Sequence, residues 1–395
     1  MKDDKIPQGY KDSTLGIIPE DWEIKRLEDI ADIDKQTLSS KTRKDYEFNY
    51  ISLSDIDSDD FKIEMTKQKF STAPSRARRI VSKGDILMAT VRPNLQGFTI
   101  IREERKNLIA STGFAVISST KCYNEYLFQF IFSESISKQF YQLLVGSNYP
   151  AINSNDVRKL KILYPPLPEQ QKIAEILTCW DAAIEKQNQL IEKLELRKRG
   201  LIQKLLTGKG NRISAGVIFK SISVRGFDDE ELLSATQDKG MIPRTMLEGR
   251  VTMPSTGTKG FKLVERGDFV ISLRSFQGGL EHSSYRGLVS PAYTVLKPKM
   301  AISEEYYKQY FKSCDFIGHL AIAVIGIRDG KQVSYEDFCA VKIPFPPLEE
   351  QIAIADILLT AGDEIQKEKE KLSVLKHQKK GLMQQLLTGR KRVNL

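Results

Sequence analysis

Short runs of cations and side-chain amides carry the clearest chemistry in this chain. In the first half they are Arg76, Arg78 and Arg79, then Arg92, Asn94 and Gln96. In the second half they are Arg244, Lys259, Arg274 and Gln277, then Arg328, Lys331 and Gln332. A guanidinium can fork onto guanine and a carboxamide onto adenine, so these side chains suit base readout as well as phosphate contact. Any one of them alone also fits a solvated surface group, so the clusters carry the signal. A net charge of +9 over 395 residues favours a polyanionic partner, though many basic proteins bind nothing acidic.

No reaction centre assembles from the remaining residues. No glycine-rich loop ending in Gly-Lys-Ser or Gly-Lys-Thr is present, which argues against ATP hydrolysis by this chain, and no GxGxxG follows a strand. His282, His319 and His377 stand apart from one another and from the cysteines, so no metal site and no bound cofactor are expected. Cys122, Cys179, Cys314 and Cys339 form no CxxC pair and fit reduced thiols. Carboxylate–x–lysine pairs such as Asp60 with Lys62 hint at a nuclease, but 28% charged residues produce them by chance. No apolar run is long enough for a membrane span, and Met1–Tyr10 lacks a signal-peptide core, so a cytoplasmic protein is expected.

The elements behind these clusters repeat. Lys161–Gly208 aligns with Lys342–Gly389 without a gap, and 22 of the 48 aligned positions are identical. Upstream the likeness is fainter but keeps its order: Val81–Leu87 resembles Val264–Val270, and Asn155-Asp156-Val157 lies where Glu336-Asp337-Phe338 lies. Strands are expected at Ile80–Ala89 (after a turn), Phe98–Ile101, Phe114–Ile117, Phe269–Leu273 and Ala292–Leu296, with helices over Tyr126–Leu144 and Glu304–Phe311. The fold class is α+β. The expected domains are 1–164, a central helix 165–210, a second domain 211–345 and a final helix 346–395.

Prolines open each repeated segment (Pro165-Pro166 and Pro346-Pro347) and Thr-Gly closes it, the signals of one long helix. Tyr164-Pro165-Pro166 and Phe345-Pro346-Pro347 are faintly similar to the catalytic motif of adenine methyltransferases, but they lack its asparagine and fit helix starts better. Leu177, Trp180, Ile184, Gln187, Ile191, Leu194, Lys198, Leu201 and Leu205 alternate by three and four. Leu358, Ala361, Ile365, Glu368, Leu372, Leu375, Lys379, Leu382 and Leu386 do the same. This is a coiled-coil seam, with an ordinary core helix in each domain as the alternative. Both segments are acidic early and basic late, so an antiparallel pair is expected, pseudo-two-fold symmetric, with Lys198 near Glu368 and Lys379 near Gln187.

The repeats PPLPEQQKIAEIL and PPLEEQIAIADIL, each ending in LLTG, resemble the repeated regions of Type I restriction–modification specificity subunits. Ile18–Glu23 with Leu27–Ala31 is similar to the start of that family's first target-recognition domain, and Leu232–Gln237 with Lys239-Gly240 to a common beginning. No copy of Pro19-Glu20-Asp21-Trp22-Glu23 opens the second domain, which leaves its start near Ile213 less defined. The resemblance implies a non-catalytic subunit that recognises split double-stranded DNA, one half per domain. It implies two adenine methyltransferase partners carrying S-adenosylmethionine, and motor–endonuclease partners using ATP and Mg²⁺. A helix of about 55 Å, at ~1.5 Å per residue, would then set the spacer between half-sites at roughly one turn of DNA. An enzyme in its own right and a coiled-coil scaffold with basic surfaces remain as alternatives.

Overall fold

The computed structural model describes residues 6–56, 63–144, 151–207, 211–227, 229–247, 257–273, 275–323 and 333–395. The chain divides into two units, Met1–Leu190 with Lys369–Leu395, and Ile191–Glu368.

In the first unit an antiparallel sheet runs in the order Ala31–Ile33, Phe114–Ser119, Ile86–Ala89, Phe98–Ile100. All four residues of Ile86–Ala89 are buried, as expected of a continuous apolar strand covered on both faces. A second sheet orders Thr66–Lys69, Glu47–Ile51, Leu108–Ser111 and Ala77–Val81. A ribbon joins Glu23–Arg26 to Lys161–Tyr164. The stretch expected as one helix over Tyr126–Leu144 is two, Asn124–Ile131 and Glu134–Leu144. The break falls at Ser133, whose hydroxyl accepts the Ile136 N–H at 3.3 Å and starts the second helix.

The second unit repeats the first sheet in the same order, Phe219–Ile222, Thr294–Pro298, Phe269–Ile271, Glu281–His282, and the ribbon as Arg212–Ser214 with Lys342–Pro344. Its core is built on rings: Phe311 lies 5.5 Å from Phe219, 5.2 Å from Phe269 and 4.7 Å from Phe316. The same polar bonds recur in both units. Tyr126 donates to the Leu163 carbonyl at 2.8 Å, and Tyr307 to the Pro344 carbonyl at 2.9 Å. Asn153 with Asp156 and Ser334 with Asp337 form matching capping boxes. Asp85 accepts the Ser82 N–H and Asp268 the Glu265 N–H, each at 2.8 Å. The preceding Gly84 and Gly267 hold φ of +89° and +87°, where a side chain would be strained.

The repeated segments are helices of 40 residues, Leu167–Leu206, and 39 residues, Leu348–Leu386. In the first unit Ile173, Ala174 and Leu177 share a core with Leu382, Leu386 and Leu387. In the second, Leu201, Leu205 and Leu206 share one with Ile354, Ala355 and Leu358. In each unit, then, the start of one helix packs on the end of the other, the antiparallel arrangement. Leu177, Ile184, Ile191, Leu194, Leu358, Ile365 and Leu386 are buried, each worth about 1.5–3 kcal/mol of apolar burial. Trp180, Leu201, Leu205, Leu372, Leu375 and Leu382 are half-buried. Arg197 pairs with Glu364 across the seam. The register differs from the expected one: Lys379 bonds Asp181 at 2.5 Å, and Lys198 stands against Gly362. Charge pattern alone fixed direction, whereas the packing of Leu177 and Leu358 on the opposite helix ends fixes register.

Each long helix is tied to its own unit by one amide. The Gln170 side chain donates to the Pro165 carbonyl at 2.7 Å and accepts the Tyr123 N–H at 2.9 Å. Gln351 does the same with Pro346 at 2.8 Å and Ser303 at 2.9 Å. The neighbouring glutamate is where the units part. Glu169 is buried, accepts Trp22 Nε1 at 2.8 Å and pairs with Arg392 at 2.7 Å, while Arg392 also forks onto Asp21. The twin residue Glu350 is exposed.

Candidate nucleic-acid interface

In the first unit, three chain segments meet at one end of the paired sheets. The Arg76 carbonyl accepts the Thr112 N–H at 2.8 Å. Next to it, the Gly113 carbonyl accepts both the N–H and the hydroxyl of Thr90, each at 2.8 Å. Arg76 and the turn that follows Thr90 therefore flank one tight corner, Ser111–Gly113. In that turn Arg92 and Gln96 hold left-handed φ of 50° and 53°, which costs on the order of 1–3 kcal/mol each for a non-glycine residue. Between them, Pro93–Leu95 forms a single 3-10 turn. Arg76, Arg92 and Asn94 are exposed, and Leu95 is 61% exposed. A strained, buttressed turn that points arginine, amide and leucine outward is suited to entering a groove.

The other two arginines of the first cluster are engaged within the fold. Arg78 lies over the Phe70 ring at 4.7 Å and donates to the Ala77 carbonyl. Arg79 pairs with Asp34 at 3.0 Å, and Asp34 is buried under bonds from the Val116 N–H and the Ser154 hydroxyl. Both lie on the strand Ala77–Val81, next to exposed Arg76.

In the second unit, Arg244 opens the 3-10 turn Arg244–Met246 and is half-buried, and Lys259 is exposed in the turn before Lys262–Val264. Gln277 lies in the helical turn Ser275–Gly278. Arg274, Arg328, Lys331 and Gln332 fall outside the described residues. The strands that flank the first unit's turn, Ile86–Ala89 and Phe98–Ile100, have Phe269–Ile271 and Glu281–His282 as their counterparts, and the register Ile86 with Ile100 against Phe269 with His282 sets Glu281 at the place of Thr99. Gly279 has φ of +73°, and a Cβ there would sit 1.8 Å from the Phe311 carbonyl oxygen, so only glycine fits.

Sequence reasoning passed over a further cationic group. A cleft of about 410 Å³ is lined by Lys67, Lys69, Lys106, Asn49 and Asn107 among others. Asn107 Nδ2 donates to the Glu47 carbonyl at 3.1 Å. The signal was present: Lys67 and Lys69 are two apart on one strand and so share a face. Among the described residues, no group of histidine, cysteine and carboxylate side chains could hold a metal ion, and no helix is long and apolar enough to cross a membrane. All four cysteines are free thiols, and burial raises that of Cys122 to about 12.

Two α+β units, each carrying a cationic turn and one end of each long helix, define a class of paired recognition modules. The family model for the Type I restriction modification DNA specificity domain matches residues 19–196 and again 230–377. The chain therefore belongs to that family, and its function is that of a specificity subunit, recognising a DNA target for a restriction–modification system. The putative type I restriction enzyme MjaX specificity subunit of Methanocaldococcus jannaschii is 27% identical over 98% of this chain and 97% of its own. The MjaVIII specificity subunit of the same organism is 32% identical over 51% of this chain and 49% of its own. Among solved structures, a chain from a study of the complex assembly and conformational transition of the type I R-M system has a TM-score of 0.64 at 21% identity, covering 95% of this chain and 99% of that one. The S subunit from M. genitalium has a TM-score of 0.51 at 14% identity, covering 95% of this chain and 96% of that one. At these identities the two structures speak for the fold alone.

Proposed function

We propose that each unit reads one half of a bipartite double-stranded target, and that Arg76, Arg92, Asn94 and Gln96 are the first unit's contacts. The observation that carries this is the buttressed left-handed turn Arg92–Gln96, in which Arg92 and Asn94 are exposed beside Arg76. Arg244, Lys259, Arg274, Gln277, Arg328, Lys331 and Gln332 are the second unit's candidates. The domains of this reading are 1–164 and 211–345, and the helices 165–210 and 346–395 set the spacer and dock two adenine methyltransferase subunits. This chain performs no reaction itself. S-adenosylmethionine, ATP and Mg²⁺ belong to the methyltransferase and motor–endonuclease partners, in the cytoplasm. The unlike side chains of the two turns support a target whose halves differ.

The test is competition. The chain with its methyltransferase partner should hold one split sequence against random competitor by about 10³-fold or more at fixed salt. Arg92→Ala should relax recognition in one half only, by about 1–3 kcal/mol per lost bidentate contact. Equal binding of split and random DNA would refute the proposal.

A further inference from the structure

The turns at equivalent places in the two units are propped by unlike chemistry. Behind each lies a helix break ending in serine: Ser133 caps the Ile136 N–H, and Ser313 caps the Phe316 N–H at 3.2 Å. The residue before that serine faces the turn in both units. In the first unit it is Phe132, whose ring packs on Phe98 at 5.3 Å, beside buried Thr99. In the second it is Lys312. Its ammonium donates to the Gly278 carbonyl at 3.0 Å and to Glu281 Oε1 at 2.6 Å. Glu281 replaces Thr99, and its side chain is 4% exposed.

Lys312 is half-buried over a buried Glu281, and the first unit fills the same place with uncharged Phe132 and Thr99, so the fold itself does not require an ion pair there. What the ion pair adds is direction. Lys312 reaches the last carbonyl of the turn Ser275–Gly278, and Gly279 then presses against the Phe311 carbonyl. Burial raises the pKa of Glu281, and the Lys312 ammonium counters that shift. The two groups are therefore bound to each other and to the turn. We propose that Lys312, anchored on Glu281, is a positioning residue that fixes the turn Ser275–Gly278 for DNA readout by the second unit. This rests on that turn facing DNA.

The experiment uses the full chain with its methyltransferase partner and S-adenosylmethionine, on a DNA library in which each position of the recognised target is varied in turn. Lys312→Met keeps the stem and removes the ammonium. It should raise methylation of sites mismatched in the second unit's half, relative to the intact site, by about tenfold, a loss of one good contact's discrimination. Mismatches in the other half should be rejected as before, and Lys312→Arg should restore the original profile. Should Lys312→Met fail to fold, Glu281→Gln, which removes the charge and keeps the shape, is expected to relax the same half. An unchanged profile, or a uniform loss across both halves, overturns the inference. Gln277→Ala with Arg274→Ala separates the two levels. If that pair alters the second half while Lys312→Met does not, only the positioning role is wrong. If neither alters it, the turn does not read DNA and both ideas fall.

Discussion

The two units share a sheet order, a ribbon, a capping box and a tyrosine bond, yet differ at the point where each long helix begins. In the first unit Glu169 is buried beneath Trp22 and Arg392, and the Tyr10 hydroxyl bonds the Gly389 carbonyl at 2.9 Å. In the second, Glu350 is exposed. Counting along the ribbon, Trp22 corresponds to Gly210 in the sequence, which lies outside the described residues. A shared backbone plan therefore does not require shared interior contacts, and the difference predicts unequal sensitivity.

The largest effect should come from Trp22→Ala, about 3–5 kcal/mol for emptying a buried aromatic site. Glu169→Ala should follow at about 2–3 kcal/mol, because the Trp22 N–H is left buried without an acceptor. Glu350→Ala should stay within about 0.5 kcal/mol, as exposed substitutions do. Urea denaturation followed by hydrogen exchange resolved to each unit would measure all three. Similar costs at Glu169 and Glu350 would erase the comparison.

A second contrast lies on the seam. Lys379 and Asp181 are a half-buried pair, and Gln129 Nε2 also bonds Asp181 at 2.6 Å. At the twin position the carboxylate is missing, and Lys198 faces Gly362. Asp181→Ala should cost about 2 kcal/mol, as a charged hydrogen-bonded group does. Gly362→Asp should gain about 0.5–1 kcal/mol, from an ion pair in a partly solvated setting and from removing a mid-helix glycine. A loss of stability in Gly362→Asp, read by thermal melting, would show that Lys198 cannot receive the charge.

The smallest effect is a pH dependence confined to the second unit. Burial lowers the pKa of His282 from its ordinary value of about 6.5, against Glu304 at 3.3 Å, which raises it, and Lys308, which lowers it. The fold therefore favours neutral imidazole. Its contribution to stability is present above the ordinary value and is lost as pH falls through the lowered one. His282→Gln should flatten that acid-side decline in hydrogen exchange around Phe269 and Glu281, and leave the first unit's profile unchanged.

The long helices and their direction were legible because apolar spacing and identity run unbroken from Pro165 and Pro346. Their register was not, because it depends on which leucines interlock. The likeness of the two recognition units was almost hidden. Phe132 and Lys312, or Thr99 and Glu281, occupy one place with opposite chemistry. The constants are single polar residues (Tyr126 and Tyr307, Asp156 and Asp337) spread among changed neighbours. The surroundings of the first cationic cluster were only partly legible. Sequence marks four arginines and an amide pair, but only folding shows that Arg78 and Arg79 turn to Phe70 and Asp34 while Arg76 and Arg92 stay outside.

The amides of Gln170 and Gln351 have a mechanical meaning. Each accepts an N–H at the start of a helix in the sheet-bearing body and donates to a proline carbonyl just ahead of its own long helix. The entry to each long helix and the start of a neighbouring helix therefore share one side chain, so Gln170→Ala or Gln351→Ala should loosen both together.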